Sequence, residues 1–258
     1  MPIQTKSKLI NKEKLIDGIY KFSVEAPEIA KTAKPGQFLE IRVSDSIEPF
    51  LRRPISIYNI NNQIVEFIFQ VKGKGTEILS QKQVSEEIDI LGPLGNGTFK
   101  IKEYKKAFII GGGIGTYPLY ELAKQLRGKT KVSTYIGFRS KDLITLESEF
   151  AEVCDELILT TDDGSYGKKG FSIDYLKEDC KKEKPDIIFA CGPLPMLKAI
   201  QQFANDEKIQ CQMSLEEKMG CGIGACLGCA VKIITETEPK YGHVCKDGPV
   251  FWAKDVEI

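Results

Sequence analysis

Hydrophobic and polar positions alternate in short runs through the N-terminal part of the chain, a pattern typical of β-strands. The runs Tyr20–Val24, Gln37–Val43 and Ile64–Val71 either alternate or are rich in β-branched and aromatic residues. Asn61–Asn62, which lies between two such runs, predicts the tip of a hairpin. Many short strands with little helix predict a small antiparallel β-barrel over residues 1–100.

The pattern changes after the glycine-rich stretch Gly92–Gly97, where buried strands begin to alternate with amphipathic helices. Ala107–Ile110 is a compact apolar strand, and a glycine-rich loop then leads into a predicted helix that ends near Arg127. Further strands are predicted at Lys131–Ile136, Glu156–Thr160, Asp186–Ala190 and Gln210–Leu215, and further helices at residues 142–153, 172–182 and 194–207. This alternation predicts a doubly wound parallel sheet over residues 101–214, followed by a small separate region over residues 215–258.

Length and charge narrow the class of protein. The chain of 258 residues is long enough for two modest domains, each with its own core. Lys plus Arg and Asp plus Glu both number 36, so no net charge attracts nucleic acid or an anionic membrane. No apolar run reaches the ~18 residues of a membrane-spanning helix, and the N-terminus lacks the apolar core of a signal peptide. A cytoplasmic location is therefore expected, with scattered free thiols at Cys154, Cys180, Cys191 and Cys211.

The other four cysteines, Cys221, Cys226, Cys229 and Cys245, have the spacing C-x4-C-x2-C-x15-C. The x4 and x2 intervals follow the order of plant-type [2Fe-2S] ligands, and the intervening glycines let the backbone wrap closely around a cluster. A structural zinc site would also use four cysteines, although usually in two short knuckles. Ordinary buried or disulfide-bonded cysteines are the third interpretation. A Rieske centre is excluded, because it needs two histidines and the chain has one.

A second group of candidate residues lies where strands of the predicted sheet end. The loop Gly111–Gly115 joins a strand to a helix, where glycines let a dinucleotide pyrophosphate approach the backbone. The fingerprint is incomplete, because Thr116 stands at the third glycine position, and a simple tight turn is the alternative. Cys191–Pro193 ends a strand at the same edge of the sheet. This segment is interpreted either as a ligand contact or as a plain connection into a helix. The candidate nucleotide-binding residues are Gly111, Gly112, Gly113, Ile114, Gly115, Cys191, Gly192 and Pro193.

A third group lies in the predicted barrel. Arg53 and Ser56 stand at a fixed spacing on a rigid strand, where they could bind a phosphate and the polar edge of a ring. A charged strand edge is the alternative interpretation. Gly73–Thr76 resembles a glycine turn into a short helix, whose free N–H groups could hold another phosphate. A hairpin turn with a capping threonine explains the same residues.

Together these segments resemble the ferredoxin-reductase family, in which a flavin-binding barrel precedes a pyridine-nucleotide domain. Arg53–Ser56 resembles the R-x-[aromatic]-[S/T] flavin motif of that family, and Gly73–Thr76 resembles its flavin-phosphate loop. Gly111–Pro118 and Cys191–Pro193 resemble its nicotinamide-nucleotide loops. The resemblance implies that FAD binds at Arg53, Pro54, Ile55, Ser56, Gln70, Val71, Lys72, Gly75 and Thr76.

The cysteine loop and Cys245–Phe251 narrow the resemblance to the electron-transfer subunits of class 1B dihydroorotate dehydrogenases. That family implies FAD, NAD and a [2Fe-2S] cluster, and no catalytic residue on this chain. It implies an oxidoreductase subunit of pyrimidine biosynthesis that passes electrons to NAD+ from an FMN-containing dihydroorotate dehydrogenase catalytic subunit. The implied assembly is a heterotetramer with two copies of each subunit. Val250–Trp252 is expected either to dock that partner or to cover the cluster.

Several alternatives stay open. A subunit of sulfide dehydrogenase or of a bifurcating transhydrogenase is the nearest, but such relatives replace one cluster cysteine by aspartate and this chain has all four. A self-contained NADH-dependent reductase would carry a full ferredoxin domain. A zinc-stabilised nucleotide-binding sensor would be colourless. Arg139 and Ser140 stand where a 2′-phosphate would be read, which by itself favours NADP over NAD.

Overall fold

The computed structural model describes residues 2–235, 238 and 240–258, which form two compact units. The first unit consists of Met1–Thr98, Glu216–Ala230 and Gly242–Pro249, and the second consists of Phe99–Leu215, Val231–Tyr241 and Val250–Ile258. The C-terminal region therefore contributes residues to both units. The division into a flavin domain (1–100), a nucleotide domain (101–214) and a cluster region (215–258) stays a prediction.

The first unit contains the predicted antiparallel barrel, closed in the strand order β1-β2-β5-β4-β3-β6. Its strands are β1 (Ile3–Ile16), β2 (Ile19–Glu25), β3 (Phe38–Arg42), β4 (Arg53–Asn61), β5 (Ile64–Gln70) and β6 (Glu87–Leu94). Two short helices, α1 (Pro27–Thr32) and α2 (Lys74–Gln81), accompany these strands. The core is apolar and aromatic, and Phe22 packs edge-on against Phe69 with ring centroids 5.1 Å apart.

Two details of the barrel differ from the sequence prediction. Asn61 pairs with Ile64, so the hairpin between β4 and β5 turns at residues 62–63 and not at Asn61–Asn62. Asn62 adopts a positive φ of 53°, a conformation that asparagine tolerates better than most residues. The long strand β1 was not predicted, because most of its positions are exposed or half-buried and polar, which hides the alternation.

The second unit contains a seven-stranded sheet in the order β10-β9-β8-β7-β11-β12-β15. The strands after the barrel are β7 (Lys106–Gly112), β8 (Lys131–Phe138), β9 (Glu156–Thr161), β10 (Lys168–Lys169), β11 (Ile187–Cys191), β12 (Gln210–Ser214), β13 (Ala230–Ile233), β14 (Lys240–His243), β15 (Val250–Trp252) and β16 (Val256–Glu257). The helices are α3 (Tyr120–Leu126), α4 (Glu147–Val153), α5 (Ser172–Lys182) and α6 (Leu194–Asp206). All five predicted strands of the doubly wound sheet are present and pair in parallel, which confirms the predicted fold class.

The C-terminal tail adds an antiparallel edge to this sheet. Val250–Trp252, which was expected to dock a partner or to cover the cluster, forms β15 and pairs with β12. Within β15 the Val250 side chain is buried, whereas Phe251 and Trp252 are half-buried. Strand β13 also pairs antiparallel with β16. The tail therefore completes the second unit, and none of the helices in the described residues is long and apolar enough to cross a membrane.

The predicted glycine loop differs in form from its prediction. Gly111 and Gly112 belong to the buried strand β7, and residues Gly113–Leu119 form a 3-10 helix. The α-helix α3 begins only at Tyr120, although its end near Arg127 agrees with the prediction. Pro118 lies inside the 3-10 segment, and because proline has no N–H group it cannot supply a regular α-helical hydrogen bond there. The predicted helix is therefore present, but a 3-10 segment separates its α-helical part from β7.

Candidate functional site

The four cysteines of the predicted cluster loop meet in the first unit. Cys221 Sγ accepts hydrogen bonds from the backbone N–H groups of Ala225 at 3.2 Å and Cys226 at 3.3 Å. Gly224 N–H donates to Cys245 Sγ at 3.1 Å, and the N–H of Cys245 donates to Cys229 Sγ at 3.4 Å. Backbone N–H groups directed at sulfur stabilise the thiolate form of cysteine, which is the form that binds metal.

The thiol groups are arranged as two interacting pairs. Burial opposes ionisation of Cys221, but hydrogen bonds from backbone N–H groups and from the Cys226 side chain lower its pKa to about 6. Burial, followed by the hydrogen bond and charge of Cys229, raises the pKa of Cys245 to about 12. Cys221 lies beside Cys226, whose N–H donates to the Cys221 sulfur, and Cys229 lies beside Cys245 in the same way.

This arrangement fits a two-iron cluster better than a single zinc ion. A [2Fe-2S] centre takes four cysteine thiolates, two on each iron. The glycines fit as well, since Gly222 and Gly224 adopt positive φ values of 70° and 80° that let the loop fold back on itself.

Glu40 of β3 lies directly against this loop, although the sequence analysis did not select it. A Cβ atom on Gly222 would lie 2.5 Å from Cγ of Glu40 and 2.7 Å from its Oε1. Glu40 is only 1% exposed, and neither of its carboxyl oxygens has a hydrogen-bond partner among the residues that the structure describes. The signal in the sequence is a carboxylate between the apolar residues Leu39 and Ile41 of β3.

The pKa of the Glu40 carboxyl group is unusually high for a glutamate. Burial raises the pKa of its carboxyl group to about 7. The positive charge of Arg52 opposes this rise, Cys221 adds to it, and Arg53 opposes it more weakly. Glu40 is therefore a buried acid whose environment disfavours the carboxylate form.

A second segment of the barrel holds the chain that follows Cys245. Asn96 N–H donates to the carbonyl of Lys246 at 3.0 Å, and Gly97 N–H donates to that of Gly248 at 2.8 Å. At Gly95, a Cβ atom would lie 2.6 Å from Cδ of Pro249. The glycine-rich exit of the barrel therefore packs against the segment that carries the last cysteine ligand.

The predicted flavin residues lie on β4, at the end of β5 and on α2, all within the first unit. Strand β3 pairs with β4 so that Glu40 is opposite Pro54 and Phe38 is opposite Ser56. Directly opposed residues of antiparallel strands point to the same face, so Pro54, Ser56 and Glu40 share one face of the barrel wall. Ile55 points the other way and packs against the barrel core. Its contribution to a flavin site is therefore limited to its backbone.

Arg53 and Gly75 approach each other closely. A Cβ atom on Gly75 would lie 2.5 Å from Cζ of Arg53, so the guanidinium packs directly against the backbone at the start of α2. Arg53 also donates hydrogen bonds to the backbone carbonyls of Leu51 and Arg52. This arrangement places the Arg53 guanidinium beside the first turn of α2, and phosphate groups bind readily at such positions.

The other predicted flavin residues follow β5. Gln70 ends that strand, and Val71 N–H donates to the Gly18 carbonyl at 2.8 Å. Thr76 Oγ1 accepts hydrogen bonds from the backbone N–H groups of Lys72 at 2.9 Å and Gly73 at 3.3 Å. These bonds join the turn after β5 to the first turn of α2, which brings Gln70, Val71, Lys72, Gly75 and Thr76 together.

The predicted nucleotide residues converge in the second unit. Gly115 lies against the 191–193 segment, and a Cβ atom there would be 2.5 Å from Cα of Gly192. A Cβ atom on Gly112 would lie 2.9 Å from Cδ of Pro193. The two glycine segments therefore form one continuous backbone surface at the carboxyl ends of β7 and β11, as predicted for a ligand site in an open α/β sheet.

Buried hydroxyl groups line the same region of the second unit. Thr116 is 1% exposed, and its Oγ1 lies 2.9 Å from the position of a Cβ on Gly111. The hydroxyl of Thr116 has no hydrogen-bond partner within residues 2–235, 238 and 240–258. In the sequence, Thr116 is only a departure from the glycine fingerprint. The burial of its hydroxyl group is a property of the fold.

The barrel, the doubly wound sheet and the cysteine loop define a flavin- and nucleotide-linked electron-transfer protein of the ferredoxin-reductase fold. The family model described as the iron–sulfur cluster binding domain of dihydroorotate dehydrogenase B matches residues 216–257. The chain belongs to the family of dihydroorotate dehydrogenase B electron transfer subunits. It is 41% identical to the dihydroorotate dehydrogenase B (NAD(+)) electron transfer subunit of Geobacillus sp. (strain WCH70), over 99% of both chains. It is 40% identical to that of Lysinibacillus sphaericus (strain C3-41), over 96% of both chains.

Solved structures share the fold of this chain. The chain is similar to a subunit in the structure of a NADH-dependent reduced ferredoxin-NADP oxidoreductase, with a TM-score of 0.87, 31% identity and coverage of 98% of this chain and 90% of the other. A ferredoxin NADP+ reductase from Neisseria gonorrhoeae, solved with FAD and NADP bound, has a TM-score of 0.67 at 17% identity. The match covers 91% of that reductase and 79% of this chain, and it shows the shared fold.

Proposed function

We propose that this chain is the electron-transfer subunit of a NAD-dependent dihydroorotate dehydrogenase in pyrimidine biosynthesis. A separate catalytic subunit oxidises dihydroorotate, and this chain passes the electrons on to NAD+. The observation that carries the proposal is the convergence of Cys221, Cys226, Cys229 and Cys245 through hydrogen bonds to sulfur, in the same compact unit as the flavin motif.

The proposed binding residues form three groups, one for each cofactor. Arg53, Ser56, Gly75 and Thr76 hold FAD, with Arg53 and the start of α2 at its phosphates. Gly111–Gly115 and Cys191–Pro193 hold the nicotinamide nucleotide, and the four cysteines hold a [2Fe-2S] cluster. Bound flavin links two-electron exchange with nicotinamide to the one-electron chemistry of iron and sulfur. The chain itself needs no general base, because it deprotonates no carbon acid.

The proposed nicotinamide cofactor is NAD. The names of the relatives from Geobacillus and Lysinibacillus specify NAD(+). Arg139, which could read a 2′-phosphate, is exposed and follows the end of β8. A clear preference for NADH over NADPH in flavin reduction is expected, and equal rates with the two cofactors would contradict it.

The partner is an FMN-containing catalytic subunit, assembled as two copies of each chain in the cytoplasm. Ile223 and Leu227 lie among the cysteine ligands, yet they are 52% and 59% exposed. Apolar side chains exposed around a redox centre are typical of a surface that a partner covers. Their position favours docking at the cluster loop, whereas Val250–Trp252 lies in β15 of the second unit.

A subunit of a bifurcating ferredoxin-NADP oxidoreductase is the second candidate. The high structural similarity to such an enzyme supports it. The complete set of four cysteines and the 41% identity to a dihydroorotate dehydrogenase B subunit favour the first candidate. Co-purification with the catalytic subunit and dihydroorotate-dependent NAD+ reduction would distinguish the two.

The first experiment is a visible absorption spectrum of the chain purified without oxygen, before and after addition of NADH. A flavin band with broad iron–sulfur absorbance, both bleached by NADH, is expected. Cys245→Ser removes a ligand and should lose iron while it retains FAD. Cys154→Ser is the matched control, because Cys154 donates only to the Phe150 carbonyl and lies outside the cluster loop. A colourless protein with stoichiometric zinc would contradict the proposal.

A further inference from the structure

One side chain, that of Met196, fills the space beside two glycines of the predicted nucleotide surface. A Cβ atom on Gly192 would overlap Cε of Met196, and a Cβ atom on Gly112 would lie 2.9 Å from its Sδ. Gly112 ends β7, and Gly192 directly follows the end of β11. The thioether of Met196 therefore packs against both backbone segments, and the two glycines make room for it.

The local sequence places Met196 at this position. It is the third residue of α6 and lies in the first turn of that helix. Long side chains on a helix lean back towards its N-terminus, so that of Met196 leans towards residues 191–193. Ile200 follows four residues later on the same face of α6 and is 0% exposed. Met196, which is half-buried, thus begins the inner face of α6.

The contact made by Met196 is added to a junction that otherwise consists of backbone. A Cβ atom on Gly115 would lie 2.5 Å from Cα of Gly192, and a Cβ atom on Gly192 would lie 3.0 Å from the N atom of Gly112. Methionine is unbranched and adapts well to an irregular gap of this kind. A shorter side chain would leave a void, and neighbouring segments shift partway into such voids.

We propose that Met196 is a positioning residue for the nicotinamide nucleotide. Its thioether fills the space left by Gly112 and Gly192 and holds the segments after β7 and β11 in the arrangement that the nucleotide requires. Met196 acts through the two backbone segments, so it serves the site without being one of the predicted binding residues. This inference rests on the proposed function, because it requires the nucleotide to bind at these segments.

The test measures NAD+ binding to the oxidised, FAD- and iron-loaded chain by isothermal titration calorimetry. Met196→Ala removes the atoms that reach the two glycines, so the dissociation constant for NAD+ should rise about tenfold or more, since a displacement of about 1 Å in a positioning segment is enough for losses of that size. Met196→Leu keeps most of the side-chain volume and should stay within about threefold of the unsubstituted chain. FAD and iron contents should be unchanged in both variants.

Ile200→Val is the matched control for a purely structural effect. It removes one methyl group from the same face of α6, one turn farther from the glycines, and should lower the urea midpoint of unfolding without changing NAD+ affinity. A loss of affinity equal to that of Met196→Ala would assign the effect to general loosening of α6 and overturn the inference. If Met196→Ala does not fold, Met196→Val keeps part of the volume without the terminal atoms, and the same loss is expected.

A double variant tests the contact between Met196 and Gly192 directly. Gly192→Ala should weaken NAD+ binding, because the new Cβ collides with Cε of Met196. That collision is absent in the Met196→Ala background, so the double variant should bind NAD+ at least about threefold more tightly than the product of the two single effects predicts. Effects that simply multiply, or an unchanged affinity in Met196→Ala, overturn the inference. NADH bleaching of the flavin in the unsubstituted chain tests the proposed function separately.

Discussion

Gly115 lies so close to Gly192 that a Cβ atom on Gly115 would be 2.5 Å from the Cα atom of Gly192. The segments after β7 and β11 therefore touch through backbone alone, and together they form the surface predicted to bind the nicotinamide nucleotide. Real Cβ atoms do not approach backbone this closely, so one of the two segments must move if Gly115 acquires a side chain.

Gly115→Ala should therefore weaken NADH binding at least tenfold while FAD and iron contents stay unchanged. A displacement of about 1 Å in a positioning segment is enough for losses of that size. The measurement is the dependence of the flavin-reduction rate on NADH concentration. Gly128→Asn is the control, because Gly128 has a positive φ of 73° with open space around it, and asparagine tolerates that conformation. An unchanged NADH dependence would remove Gly115 from the site.

Arg53→Met should weaken FAD binding by roughly tenfold to a hundredfold. The reason is the loss of charge-assisted hydrogen bonds to phosphate, each of which contributes about 1.5–3 kcal/mol. Arg42→Met is the matched control, since Arg42 forms an exposed ion pair with Asp45 in which Nε and Oδ1 are 3.6 Å apart. Fluorescence titration of the apoprotein with FAD measures both variants. Equal dissociation constants for the two would show that Arg53 serves only the barrel strand.

The ion pairs of Glu183 are expected to make a pH-dependent contribution to the stability of the second unit. Its carboxylate accepts hydrogen bonds from Lys106 at 2.7 Å and Lys131 at 3.2 Å, which hold its pKa below the ordinary value of 4.5. A carboxylate with a lowered pKa in the folded state stabilises the fold above its ordinary pKa and loses this effect as the pH falls through the lowered value.

Glu183→Gln should therefore lower the urea midpoint of unfolding at pH 7, and the difference should vanish once the pH falls below the lowered pKa of Glu183. Glu178→Gln on the exposed side of α5 is the control and should leave the midpoint unchanged at both pH values. A difference between Glu183→Gln and the unsubstituted chain that persists at low pH would assign the effect to packing and not to charge.

Several features of this protein follow from the sequence because they depend on local spacing. Alternation of apolar residues and the change of period after Gly97 predicted the barrel and the parallel sheet, since strands and helices impose periods of 2 and 3.6 on whatever they bury. The cysteine spacing predicted an iron–sulfur loop, because a cluster of fixed size requires its ligands at short, fixed intervals. The resemblance to a known family added FAD and NAD.

Other features depended on residues that are distant in the sequence. Glu40 and Gly222 are far apart along the chain, and only the fold places an unpaired carboxyl group against the cluster loop. Similarly, Val250–Trp252 became an edge strand because β12 offered free backbone hydrogen-bonding groups, which no local pattern reveals. The sequence by itself determined the fold class and the candidate ligands; the tertiary structure decided which buried polar groups lie beside them, because burial and hydrogen-bond satisfaction are set by contacts between distant segments.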